Sequence, residues 1–109
     1  MIDPQALADE RSLAIHALIA DKLRADPTLI GLARERVRRW RDGGAVPEKY
    51  VREWERALAR PPEELCALLI ERSEHATDLR HVSPFLGVVD PRTRWRIWRE
   101  TRSRHGSHA

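Results

Sequence analysis

Histidine and cysteine are the residues of this chain best suited to act as acids, bases, nucleophiles or metal ligands near neutral pH. There are five histidines and one cysteine. No two histidines stand four residues apart around a glutamate, the spacing by which a helix presents a zinc site. Glu74 and His75 are adjacent, so on a helix their side chains point roughly 100° apart. Cys66 lies in a leucine-rich stretch, where a free cysteine behaves as a small hydrophobic residue. The sequence therefore predicts no catalytic centre, no metal site and no cofactor.

An arginine followed after four to six residues by a histidine is the motif of small all-α ribonucleases of the HEPN class. Three pairs match this spacing: Arg11 with His16, Arg99 with His105, and Arg102 with His108. Because 18 of the 20 basic residues are arginine, chance alone produces about as many such pairs as are found. A ribonuclease is therefore the least favoured function, and we expect a protein without enzymatic activity.

Positive charge is concentrated at the C-terminal end of the chain. The formal charge is +3 overall, and residues 90–109 alone carry six arginines against two acidic residues. Arg34, Arg38 and Arg41 also share one face of a predicted helix, and such a face could neutralise phosphates. However, acidic residues alternate with basic ones over residues 1–60, and the features of a helix-turn-helix motif are missing. Nucleic-acid binding is therefore the second choice of function.

The positions of the prolines predict where helices begin. Asp-Pro occurs at Asp3-Pro4, Asp26-Pro27 and Asp90-Pro91, which places a capping carboxylate before a proline in the first helical turn. Two further starts are predicted at Pro47 and Pro62, each followed by glutamate. No segment shows the alternation of a strand. We therefore predict an all-α protein, residues 1–109 forming a single compact bundle of about five helices. The predicted helices cover residues 4–25, 27–42, 47–60, 62–80 and 91–104, with a frayed tail over 105–109.

The location of the protein follows from what the sequence lacks. No apolar run approaches the ~20 residues that a transmembrane helix needs, and 34% of the residues are charged. The first residues show no basic region followed by an apolar stretch, the pattern of a secretory signal. A lone cysteine cannot form an internal disulfide, which fits a reducing compartment. We expect a cytoplasmic protein with no membrane partner.

The last predicted helix carries two tryptophans among arginines. Trp95 and Trp98 lie roughly 60° apart on a helical wheel, Arg102 lies between them, Arg94 and Arg99 flank them, and Ile97 points to the opposite side. Tryptophan and arginine are the residue types that contribute most to binding energy at interfaces. The tryptophans could simply dock the helix onto the bundle. Alternatively, Ile97 docks it and the tryptophans contact a partner.

The segment before and within this helix resembles a known type of protein. Ser83-Pro84-Phe85-Leu86-Gly87-Val88, followed by Asp90-Pro91-Arg92 and Arg94-Trp95-Arg96-Ile97-Trp98, resembles the C-terminal part of small bacterial antitoxins. The resemblance covers residues 79–99 and implies a protein-binding module that neutralises a toxic enzyme by direct contact. The expected partner-binding residues are Phe85, Leu86, Arg94, Trp95, Trp98, Arg99 and Arg102. The oligomeric state stays open.

Overall fold

The computed structural model describes residues 3–106, and every regular element within them is helical. The elements are α1 Pro4–Ala25, α2 Leu29–Gly43, α3 Glu48–Leu58, α4 Pro62–Leu69, α5 Glu74–His81, a 3₁₀ turn Leu86–Val88, and α6 Pro91–Gly106. The prediction of an all-α bundle is confirmed, with six α-helices where about five were expected. No helix within this range is long and apolar enough to cross a membrane.

Side-chain caps explain two of the three Asp-Pro starts. Asp3 accepts a hydrogen bond from the backbone N–H of Ala6, and Asp90 accepts one from Thr93 at 2.9 Å. Asp26 is different because its carboxylate accepts from the backbone N–H and the hydroxyl of Thr28, which closes a turn. The second helix therefore begins at Leu29, two residues later than predicted.

The predicted helix over residues 62–80 is two helices, α4 and α5. Ser73 caps α5 by accepting a hydrogen bond from the backbone N–H of Ala76 at 3.1 Å. The buried guanidinium of Arg80 donates to the carbonyls of Leu69 and Glu71, at 3.2 and 2.7 Å, and so satisfies acceptors that the break leaves without helical partners. The sequence concealed the break because apolar residues follow the helical period on both sides of it.

The other helix ends differ less from prediction. Gly44 adopts φ 69° and donates its N–H to the carbonyl of Trp40, so the glycine pair ends α2 as expected. The third helix is shorter than predicted and covers Glu48–Leu58. The last helix continues through Gly106, so the predicted frayed tail is wrong for residues 105 and 106. Residues 107–109 of that predicted tail lie outside the described residues.

The long helix α1 is the element around which the others pack. Its 22 residues extend about 33 Å, and it contacts α4, α5 and α6. The core includes the fully buried Ile19 and Leu23 of α1, together with apolar residues of α2 to α5. The last helix has its main contact with α1 and is attached beside this core.

Residues 82–89, between α5 and α6, turn into the core. The indole N–H of Trp54 donates to the carbonyl of Val82 at 2.5 Å. The ring of Phe85 is 0% exposed and meets the Trp54 ring edge-on, with 5.9 Å between the ring centroids. This segment is therefore part of the core, and it determines where α6 begins.

A buried histidine holds the same segment to the middle of α1. His16 is 0% exposed, and its Nδ1 and Nε2 lie 2.7 Å from the carbonyl of Ser12 and from Oγ of Ser83, respectively. Because a carbonyl only accepts, Nδ1 carries the proton and Nε2 accepts from the Ser83 hydroxyl. Oγ of Ser83 in turn accepts from the N–H of Phe85. The pKa of His16 is lowered to about 4, mainly by burial; the bond to Ser12 opposes this shift, and the charges of Arg80 and His81 add to it.

This arrangement predicts that acid destabilises the protein through His16. Between the folded pKa of about 4 and the ordinary value of 6.5, the unfolded chain binds more protons, so the free energy of unfolding falls as the pH falls. The loss between pH 7 and pH 5 is about 2 kcal/mol from this residue alone. Urea unfolding at both pH values should show a smaller loss, by that amount, in His16→Gln. An identical pH dependence in the two proteins would contradict the assignment.

Candidate partner-binding surface

The inner face of α6 attaches the helix to α1. Ile97 and Thr101 are buried, and the Thr101 hydroxyl donates to the carbonyl of Ile97 at 2.8 Å. Arg94 is half-buried on the same side of the helix, and its Nε has no hydrogen-bond partner among the described residues. The helix α6 begins beside the segment that His16 holds. It then runs back along α1, so that Trp98 lies against Arg11. The two helices are therefore antiparallel.

Two tryptophans of α6 and an arginine of α1 form a three-layer stack. The rings of Trp95 and Trp98 are nearly parallel, 10° apart, with 4.8 Å between centroids. The guanidinium of Arg11 lies over the Trp98 ring, 3.5 Å from its centroid, and its Nε donates to the Trp98 carbonyl at 3.3 Å. Trp98 is half-buried, whereas 55% of Trp95 is exposed. Trp95 is thus held by a rigid support while much of its ring stays in water.

Arginines surround this stack on the solvent side. We call five exposed residues on the outward side of α6 the outer stripe: Arg92, Trp95, Arg96, Arg99 and Arg102. Among residues 3–106, Arg92, Arg99 and Arg102 form no ion pair, and Arg96 reaches Glu100 only at 4.0 Å. Burial and the nearby charge of Arg102 lower the pKa of Arg11. The outer stripe is therefore a positively charged surface with an aromatic centre.

The structure divides the residues that the sequence marked for partner binding. Trp95, Arg99 and Arg102 share the outer stripe, and Trp98 lies beneath Trp95. Arg94 is on the inner face of α6, and Leu86 is half-buried in the 3₁₀ turn.

Phe85, which the sequence predicted to contact a partner, does not lie at the surface. Its ring is fully buried against Trp54, because the bonds of Val82 and Ser83 turn the segment inward and leave the ring unavailable at the surface.

Sequence reasoning missed three residues of this surface. Arg92 and Arg96 could have been found, since they follow the helical period of Trp95 and Arg99. Arg11 could not, because 87 residues separate it from Trp98 and no local pattern links them.

The arginines proposed for phosphate contacts all have partners within the protein. Arg34 donates to the carbonyl of Leu58 at 3.0 Å, at the end of α3. Arg38 pairs with Glu35, and Arg41 binds both carboxylate oxygens of Glu55 at 2.7 and 2.8 Å. The pKa of Glu55 is accordingly lowered by Arg41. These side chains line a groove of about 310 Å³ between α2 and α3. Arg34 and Arg41 join the two helices there, and Arg38 is paired within α2.

The ribonuclease motif is not assembled around Arg11 and His16. Arg11 stacks on Trp98, and His16 is buried on other partners. His81 and His75 form surface contacts with Asp9 and Glu53, at 2.8 and 3.4 Å. No group of three or more His, Cys, Asp or Glu residues suited to a metal occurs in the described part of the chain.

Cys66 is a core residue, as the sequence predicted. It is buried, and burial raises the pKa of its thiol. A thiol held in its neutral form is a poor nucleophile, which agrees with a packing role.

Comparison with known proteins finds no relative of this chain. No family model matches it, and no curated protein and no solved structure resembles it significantly. The surface of α6 and the sequence resemblance are therefore the features that bear on function.

The burial of Phe85 predicts a large effect of its removal on stability. Phe85→Ala should lower the free energy of unfolding by about 3–5 kcal/mol, because it leaves a cavity against Trp54. Leu86→Ala, at the neighbouring half-buried position, is the control and should cost clearly less. Urea unfolding of both variants measures the difference. If both variants lost the same small amount of free energy of unfolding, Phe85 would be a surface residue and could contact a partner.

Proposed function

We propose that this protein is a protein-binding module whose contact surface is the outer stripe of α6. In its most specific form, it is an antitoxin-type inhibitor that binds a toxic enzyme and covers its active site. The observation that carries the proposal is Trp95, which is 55% exposed yet stacked on Trp98 and Arg11. Monomeric proteins expose single apolar residues freely, but an exposed tryptophan fixed among unpaired arginines has the composition of a binding hot spot.

The stack supports the proposal because it prepares Trp95 for contact. An immobilised side chain loses little rotamer freedom on binding, which removes part of the usual entropic cost of association. The position of α6 adds to this. Since α6 packs mainly on α1, its outward side is open along the whole length of the outer stripe.

Inhibition of an enzyme is the part of the proposal that rests on the sequence resemblance to antitoxins. An inhibitor of this type needs no catalytic residues of its own, only a rigid surface that fits over a partner. A lone, buried Cys66 is compatible with the reducing cytoplasm in which we propose this contact takes place.

Nucleic-acid binding is a second candidate, favoured by the charge of α6 and the exposed Trp95 ring. A base could stack on Trp95 while arginines contact phosphates. It ranks second because the stripe offers about four such contacts, whereas Arg34, Arg38 and Arg41 are engaged within the fold.

Site-specific crosslinking in native host cells tests which class of partner binds α6. A photo-crosslinking amino acid with an aromatic ring at position 95, which keeps a ring beside Trp98, should give one discrete protein adduct, identifiable by mass spectrometry. The same amino acid at Leu32, an apolar position 60% exposed on α2, is the matched control and should not. Adducts to RNA or DNA at position 95 would instead establish the second candidate.

A substitution then tests the mechanism on the enzyme identified in this way. The purified protein should inhibit that enzyme, and Trp95→Ala should weaken inhibition by the equivalent of about 2–4 kcal/mol, the range of a truncated hot spot. The melting temperature should change little, because most of the Trp95 ring is outside the core. Leu32→Ala should alter neither quantity. Undiminished inhibition by Trp95→Ala, or an enzyme that is not inhibited at all, would contradict the proposal.

A further inference from the structure

We infer that the part of the partner lying on the outer stripe is an acidic α-helix with one apolar side chain placed against Trp95. This inference rests on the proposed function and specifies the chemistry of the partner. It follows from the spacing of the outer stripe and from its charge. It also follows because a neutral partner or a second copy of this chain would leave the guanidinium groups of the stripe unpaired.

The spacing of the outer stripe matches that of a second helix. From Arg92 to Arg102 the stripe extends about 15 Å along α6, with arginines one turn apart at Arg92, Arg96 and Arg99. Carboxylates four residues apart on a partner helix recur about every 6 Å, close to the rise from Arg92 to Arg96. Helices pack with axes about 8–10 Å apart, within reach of arginine side chains on either side of a central contact. Trp95 supplies that central contact.

The charge of the stripe selects an acidic partner. Residues 91–106 contain six arginines and one glutamate, net +5, whereas residues 1–89 carry 14 basic and 15 acidic residues, net −1. The net positive charge is thus concentrated in α6, and four of its six arginines lie in the outer stripe around Trp95. A neutral partner would cover guanidinium groups without pairing them, which costs desolvation energy. Carboxylates would pair with them bidentately.

The positive charge of the outer stripe also makes a second copy of this chain an unfavourable partner for it. Two outer stripes face to face would oppose eight arginines, and this repulsion disfavours a dimer built on Trp95. The pair Arg11 and Arg102 adds a local reason for an acidic partner. Their charges already repel each other in the free protein. A carboxylate bound beside Arg102 would therefore be attracted by two guanidinium groups.

A peptide-binding experiment with the full chain tests this inference. The probe is a fluorescein-labelled, helix-stabilised peptide of about four turns with glutamate at every fourth position and one central leucine. Its matched control replaces each glutamate with glutamine. Fluorescence anisotropy should show about tenfold tighter binding of the glutamate peptide. That preference should shrink as sodium chloride rises from about 50 to 300 mM.

Substitutions that remove positive charge test whether the peptide binds at the outer stripe. Arg96→Gln combined with Arg99→Gln should reduce affinity for the glutamate peptide by about tenfold. Lys49→Gln combined with Arg60→Gln removes the same charge from exposed positions at either end of the α3 segment and should leave affinity nearly unchanged. Equal losses from the two double variants would show a general charge effect and would overturn the assigned surface.

The remaining outcomes separate failure of the inference from failure of the proposed function. Equal binding of the glutamine peptide, or no binding of the glutamate peptide, overturns the acidic helix. The crosslink from position 95 to a protein would still stand in that case. A DNA duplex or single-stranded RNA that binds more tightly than the peptide, and loses binding in Arg96→Gln/Arg99→Gln, overturns both. A dimer in analytical ultracentrifugation that Trp95→Ala dissociates would make a second copy the occupant and overturn the inference.

Discussion

The hydrogen bond between His16 and Ser83 is the constraint on which the position of the last helix depends. It joins the middle of α1 to the segment that leads into α6, and it lies where water cannot replace it. Ser83 also holds the N–H of Phe85, so the same contact seats the Phe85 ring in the core. The helix α6 begins eight residues after Ser83 and runs back along α1. That path brings Trp98 to Arg11.

The sequence predicted most of the fold because most helix boundaries are local. Asp3 and Asp90 cap helices through bonds to residues three positions ahead, and such spacing is visible in the sequence. The break between α4 and α5 was missed because it depends on Arg80 reaching back to Leu69, while the apolar period runs on undisturbed. Burial of Phe85 was missed for the same kind of reason: Trp54, which its ring contacts, and His16, which holds Ser83, come from other helices.

Arginine has two different roles in this protein, and composition alone could not separate them. In α2, Arg34 and Arg41 bind the end of α3 and a glutamate of α3, which connects the two helices, and Arg38 binds Glu35 within α2. In α6 the arginines of the outer stripe have no such partner within residues 3–106, except for a long contact from Arg96 to Glu100. Only the structure shows which guanidinium groups are engaged. The candidate surface therefore keeps the part of α6 that the sequence marked and loses the buried Phe85.

The two tryptophans of α6 also have different roles, although the sequence offered them as a pair. Trp98 is covered by Arg11 on one face and Trp95 on the other, so it serves in docking α6. Ile97 and Thr101 bury the inner face of α6, so docking of this helix does not require Trp95. Stacking of Trp95 on Trp98 adds about 0.5–1.5 kcal/mol to stability. This gain does not explain why the rest of the large Trp95 ring is exposed to water. The fold therefore accounts for Trp98, and the exposed part of Trp95 is the feature that a partner would explain.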